Sequence, residues 1–170
     1  MEILDIVDLD DRVVGQASRE EIHAQALIHR ASHMILFNSS GQVFLQRRSF
    51  HKDSGGGLWD SSAAGHVDSG ESYLDCAVRE LAEELGLQVD ADALVAEFKM
   101  SPRPETGMEF AMVYSVISDA TLTLDRDEII DGCWVEPNEL SQWIQDSPGE
   151  LTYAFTEIWA QLCAPNLATP

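Results

Sequence analysis

Basic residues are scarce: 10 Lys and Arg stand against 30 Asp and Glu in 170 residues, a formal net charge of −20. That balance argues against broad binding of nucleic-acid polymers or anionic membranes, both of which need a positive surface to exchange for counterions. Cysteine is scarce too. Cys76, Cys133 and Cys163 are too few and too scattered for a disulfide framework and lack zinc-like pairing, so reduced thiols are expected. There is no apolar run of the roughly 18 residues that a membrane helix needs, and no basic, apolar leader. A soluble, cytoplasmic protein is expected. There is also no internal repeat, low-complexity tract or linker. With 45% apolar residues the chain is expected to fold as one domain, residues 1–170, with a proper core.

What the chain does have is concentrated in residues 65–87, GHVDSGESYLDCAVRELAEELGL. A helix turns about 100° per residue, so Glu83 falls about 60° to one side of Glu80 and Glu84 about 40° to the other. Three carboxylates therefore share one narrow face. Leu74, Val78, Leu81 and Leu85 repeat at helical spacing on the opposite side, where they are expected to pack on a core. Ser72 followed by Asp75 resembles a capping box, and Gly86 suits the left-handed position that closes a helix. Cys76 falls one turn before Glu80 and is expected to be a small packed residue. Like charges at i,i+4, as in Glu80 and Glu84, destabilise a helix by a few tenths of a kcal/mol. A bound cation would remove that penalty. Hard oxygen ligands select Mg²⁺, Mn²⁺ or Ca²⁺, and Mg²⁺ commonly shares its coordination between carboxylates and substrate phosphates.

At every specified position this segment resembles the Nudix box, Gly-x5-Glu-x7-Arg-Glu-U-x-Glu-Glu-x-Gly-U with U aliphatic. The resemblance implies hydrolysis of a diphosphate linkage in a small organic or nucleoside diphosphate derivative, by water attack at phosphorus with Mg²⁺ or Mn²⁺. It implies Glu80, Glu83 and Glu84 as metal ligands. Glu71 is implied to hold a metal-bound water or to orient the other acids, and Arg79 to brace a carboxylate. The general base is left open among these glutamates and a later acid.

An anionic substrate approaching so acidic a chain needs placed cations. Arg47, Arg48 and Lys52 follow a convincing strand and open the loop Asp53-Ser-Gly-Gly-Gly57, three basic residues within six positions. The alternative is a charged strand end beside a flexible loop. The glycines could let backbone amides approach a phosphate, although no P-loop signature accompanies them.

The coarse element order is strands at 3–7 and 12–15, a helix at 19–26, then strands at 34–38 and 43–46 around a hairpin signal, Ser39-Ser40-Gly41. A strand at 58–64 leads into the glutamate helix. Strands at 94–99, 110–117, 121–124 and 133–135 and helices at 138–145 and 151–162 complete the chain. Strands with helices on both sides predict an α/β fold, a three-layer α/β/α sandwich, and the Nudix resemblance implies that fold with a mixed sheet.

A narrower resemblance, from about Val13 to Leu140, is to isopentenyl diphosphate isomerase and the bacterial Nudix hydrolases of its branch. It is carried by Leu27-Ile-His-Arg-Ala31, Leu36-Phe-Asn38, Gln46-Arg-Arg48 and Trp59 through Gly65-His66. It implies that Arg48 and Lys52 contact diphosphate, and that His29, His66 and Glu128 match metal ligands of the isomerase. Arg126 stands where a further acid is expected. The isomerase's proton-exchanging cysteine is replaced by Ala64, and isomerases have a degraded box where this one is complete, which favours a hydrolase. His66 is a candidate substrate contact. The spacing of His23, His29 and His33 is weighed against a structural zinc site and judged insufficient. Glu128 is the leading acid outside the box, as ligand or base, against a plain surface glutamate. Arg103 and Glu105, in the loop from Ser101 to Gly107, border the expected pocket or merely connect strands. The oligomeric state is left open between monomer and homodimer.

Overall fold

The computed structural model describes residues 2–164. It begins with a hairpin of β1 (Ile3–Val7) and β2 (Val13–Ser18), then α1 (Arg19–Gln25). Next come β3 (His29–Phe37), β4 (Val43–Arg48), β5 (Trp59–Asp60), β6 (Ala63–His66) and α2 (Tyr73–Leu85). β7 (Val95–Met100), β8 (Glu109–Ile117), β9 (Ile129–Val135), α3 (Pro137–Asp146) and α4 (Tyr153–Cys163) complete it. The main sheet is mixed. β3 pairs parallel with β8 from His29↔Glu109 to Phe37↔Ile117, while β7 pairs antiparallel with β8. On its other side β3 pairs first with β6 and then, at Phe37↔Val43, with β4, which carries β5 and β9.

Two-residue alternation along the strands builds a core on each face of the sheet. Met34, Leu36, Phe44, Tyr114 and Val116 pack with Ala77, Leu81 and Leu85 of α2. Ile35, Val43, Leu45 and Val113 pack with Leu140 of α3 and Phe155, Ile158 and Trp159 of α4. The result is a three-layer α/β/α sandwich, as expected. In α2 the fully buried apolar residues are Cys76, Ala77, Leu81 and Leu85, with Leu74 packed at the edge of the cluster. Burial pushes the Cys76 thiol up to about 12, so it is an inert packing group.

Several expected strands have different limits. β3 begins five residues before Met34, because its polar opening is satisfied from outside the sheet. Arg30 Nε donates to Asp11 Oδ1 (2.6 Å), Ser32 Oγ to Tyr73 O (2.8 Å), and His33 Nδ1 meets Ser61 Oγ (2.9 Å). The strand expected at 58–64 is split at Ser61 and Ser62. There the Ser62 hydroxyl accepts from Leu36 N (2.7 Å) and donates to Phe44 O (2.6 Å), bridging β3 and β4 where they diverge. The strand expected at Thr121–Leu124 is absent. This segment caps the C-terminal end of α2 instead: Thr123 N donates to Leu85 O (2.8 Å) and Asp125 N to Glu84 O (2.9 Å). Its alternating Leu122 and Leu124 pack on the α2 core rather than on a neighbouring strand.

Candidate active site

The ends of α2 fix its register over β6. Ser72 Oγ accepts from Asp75 N (3.1 Å), and Gly86 closes the helix at φ 64°, with Leu87 N donating to Leu81 O (3.0 Å). The three acids, expected from the sequence to share one narrow face, lie at different depths. Side-chain exposure is 59% for Glu83 and 13% for Glu80, while Glu84 is only 4% exposed overall. Glu84 Oε2 accepts from Gln46 Nε2 (2.8 Å) and from Ala64 N (3.1 Å). Burial, reinforced by the neighbouring Glu80, raises its pKa to about 7. Burial raises Glu80 as well. Two acids held close together against burial form an oxygen donor set suited to a divalent cation, which would favour their ionised forms.

Arg79 organises this set. Its guanidinium donates to both oxygens of Glu71 (2.9 Å each), to Glu80 Oε1 (2.6 Å), to Glu83 Oε2 (3.3 Å) and to His66 O (3.0 Å). Glu71 also accepts from Asp68 N (3.0 Å), so each of its oxygens has a donor within the protein. Gly65 lies directly beneath Glu80: a Cβ there would sit 2.7 Å from Glu80 Cγ and closer still to the carboxylate.

Arg48 and Lys52 line the same cleft, a cavity of about 760 Å³. Arg48 Nη1 donates to Asp60 Oδ2 (2.9 Å) and its Nε to Ser54 O (3.2 Å). Lys52 is ion-paired with Glu128, and burial lowers its pKa despite the nearby charges of Glu84 and Glu80. Arg47 is not brought to this site. Being adjacent to Arg48 it projects from the other face of β4, where it donates to Gly57 O (2.9 Å) and lies over the Phe50 ring.

A second donor group shares the cleft. Ligand atoms of His23, His29, His66 and Glu109 lie within 4.8 Å of one another. His29 Nδ1 donates to Leu27 O (2.9 Å), and its Nε2 faces the group. That buried Nε2 has no hydrogen-bond partner among the described residues and lies 3.5 Å from Glu109 Oε1. His66 Nε2 is 3.3 Å from Glu109 Oε1, and its Nδ1 is 3.3 Å from Glu2 Oε1. Burial opposes charge on His66, but the hydrogen bonds to Glu109 and Glu2 prevail and raise its pKa to about 9. Burial would raise Glu109, yet the adjoining His29 and His66 imidazoles hold it well below the usual carboxylate range. Three imidazoles and one carboxylate, with an orphaned nitrogen among them, fit a divalent metal such as Zn²⁺ or Mn²⁺.

The structure brings together part of the set matched from the sequence. His29 and His66 are joined by His23 and Glu109, whereas Glu128 lies on Lys52 and His33 on Ser61. Glu109 carried no sequence signal, because its partners come from α1, β3 and β6. The acid set and the histidine group are linked through β6: Ala64 N holds Glu84, and His66, two residues on and about 7 Å along the strand, belongs to the histidine group.

A NUDIX domain model matches residues 27–155, which include the whole of the 65–87 segment. The chain belongs to the Nudix family. An uncharacterised Nudix hydrolase of Pseudomonas aeruginosa is 39% identical over 137 residues, covering 80% of this chain and 79% of that protein. A Serratia proteamaculans protein named isopentenyl-diphosphate delta-isomerase is 32% identical over 169 residues, covering 98% and 94% respectively. The crystal structure of a Deinococcus radiodurans protein shares the Nudix fold at TM-score 0.81 and 33% identity, covering 96% of this chain and all of that one. These relatives place the chain in the isomerase-like branch of the Nudix family. Nudix enzymes generally use divalent metals, and no helix among the described residues is long and apolar enough to cross a membrane.

Proposed function

We propose that this Nudix protein hydrolyses the diphosphate linkage of a small organic or nucleoside diphosphate derivative by attack of water on phosphorus, with Mg²⁺ or Mn²⁺ as cofactor. The observation that carries this reading is the convergence of Glu80, Glu83 and Glu84 on a cleft that also presents Arg48 and Lys52. Glu80, Glu83 and Glu84 hold the cation. When bound, it neutralises diphosphate charge and lowers the pKa of water. Arg79, steadied by Glu71, keeps Glu80 and Glu83 in place, while Gln46 and Ala64 N hold Glu84. Arg48 takes a phosphate oxygen while Asp60 fixes its guanidinium.

Lys52 acts with Glu128. An incoming phosphate draws the ammonium away from the Glu128 carboxylate, which is then free to accept the proton of the attacking water. His66, on the same cleft wall, contacts the substrate or belongs to a second metal. The net charge of −20 favours a small substrate over a polymer.

The histidine group supports a second reading, an isomerase of allylic diphosphates, since resemblance to the isomerases assigned His29 and His66 to a metal. Ala64 weighs against it, because a methyl group cannot exchange a proton at carbon. A non-catalytic diphosphate-binding domain is disfavoured by the complete acid set. A panel of organic and nucleoside diphosphates incubated with Mg²⁺ separates the three. Metal-dependent phosphate release supports hydrolysis, double-bond migration of isopentenyl diphosphate supports the isomerase, and binding without either reaction supports the third.

A further inference from the structure

We propose that the ring of Tyr153 is the platform on which a flat aromatic group of the substrate, a nucleobase, stacks while Arg48 and Lys52 hold its phosphates. The inference rests on the diphosphate reading of the cleft and names the organic end of the substrate. Tyr153 opens α4 and lines the cleft with 45% of its surface exposed. The core does not require it, since Phe155, Ile158 and Trp159 already bury the inner face of the helix. The ring is also fixed relative to the phosphate grip. Thr152 Oγ1 caps α4 by accepting from Phe155 N (3.2 Å) and donates to Asp60 Oδ1 (2.9 Å). The other oxygen of Asp60 takes Arg48 (2.9 Å), so one buried carboxylate ties the cation to the residue before Tyr153.

The order along the cleft follows from β4. Gln46 and Arg48 share a face of the strand, and the Gln46 amide holds Glu84, so the path runs from metal acid to cation to aromatic ring. A diphosphate gripped at Arg48, with its scissile linkage at the acids, therefore directs its organic end toward Tyr153. Leu58, Pro104, Thr106 and Ala154 line the cleft too and carry no charge, with Glu105 an acid at the same turn. A planar, neutral base suits an exposed tyrosine face, and base stacking on an aromatic ring is worth roughly tenfold to a hundredfold in affinity.

The test is calorimetric binding of a nucleoside methylenediphosphonate and of methylenediphosphonate itself to the full Mg²⁺-loaded chain and its Tyr153→Ala and Tyr153→Phe variants. The base should add at least about tenfold in the unaltered protein and in Tyr153→Phe. Tyr153→Ala should lose that increment while binding bare methylenediphosphonate unchanged. Equal nucleoside affinity in Tyr153→Ala, or no increment from the base in the unaltered protein, overturns the inference. Turnover of the matching diphosphate is read separately. Tyr153-dependent binding without turnover sinks the hydrolase and leaves the platform; turnover indifferent to Tyr153 sinks only the platform.

Discussion

Substituting Gly65 by alanine probes the metal face without touching any of its acids. The new methyl would lie 2.7 Å from Glu80 Cγ, about 0.7 Å inside the 3.4 Å at which ordinary contact begins, and closer still to the carboxylate. The three nearest atoms it meets all belong to the Glu80 side chain, so the backbone can stay and the carboxylate must swing away. Glu80 would then lose its 2.6 Å hydrogen bond from Arg79 and its place beside Glu84. A misplacement of about 1 Å in a reacting constellation can cost on the order of a hundredfold in rate. Gly65→Ala should therefore lower Mg²⁺-dependent turnover by at least about that factor and weaken Mg²⁺ binding, while its metal-free melting curve stays within about 1 kcal/mol of the parent. Phosphate-release kinetics over a Mg²⁺ titration, paired with thermal melts, read both quantities. Parental turnover with parental Mg²⁺ affinity would show that Glu80 does not act where this geometry puts it.

Glu83→Gln should abolish turnover in a protein that remains folded by circular dichroism, because Glu83 is exposed and donates nothing to the core. Burial pushes the Glu84 carboxyl up to about 7 in the folded chain from its ordinary value of 4.5, so its stabilising contribution is complete below about pH 4.5 and lost as pH rises through about 7. Metal-free Glu84→Gln should thus gain up to about 3 kcal/mol relative to the parent between acid and pH 8, read by urea melts across that range. Its Mg²⁺-induced stabilisation should vanish. Asp11 accepts from Arg30, Tyr73 and Lys99 at a positive φ of 60°, locking the β1–β2 hairpin to the sheet, and Asp11→Ala should cost about 2 kcal/mol in a denaturant melt. Chelation of divalent cations should stop turnover, and added Mg²⁺ should restore it.

Periodicity and end signals in residues 65–87 were enough to place α2, its serine cap and its glycine stop, because those features are local in the chain. Depth was not legible: Glu84 is buried only because β4 and β6 bring Gln46 and Ala64 N against it. The histidine group was legible only in part: resemblance gave His29 and His66, but Glu109 meets them and His23 only after the parallel pairing of β3 with β8. Arg47 could have been set aside from sequence, because adjacent strand residues face opposite ways and only one of Arg47 and Arg48 can enter the cleft. The alternation at Thr121–Leu124 misled because Leu122 and Leu124 pack on α2 while their backbone caps it, a tertiary arrangement that imitates a strand pattern.

The most direct test of metal-assisted hydrolysis at the α2 acids is phosphorus NMR of a diphosphate panel turned over in ¹⁸O-water with Mg²⁺. Metal-dependent cleavage of a diphosphate linkage, with label entering a phosphate product and lost in Glu83→Gln, is the expected result. Isomerisation of isopentenyl diphosphate without label incorporation, or label incorporation undiminished in Glu83→Gln, would contradict it.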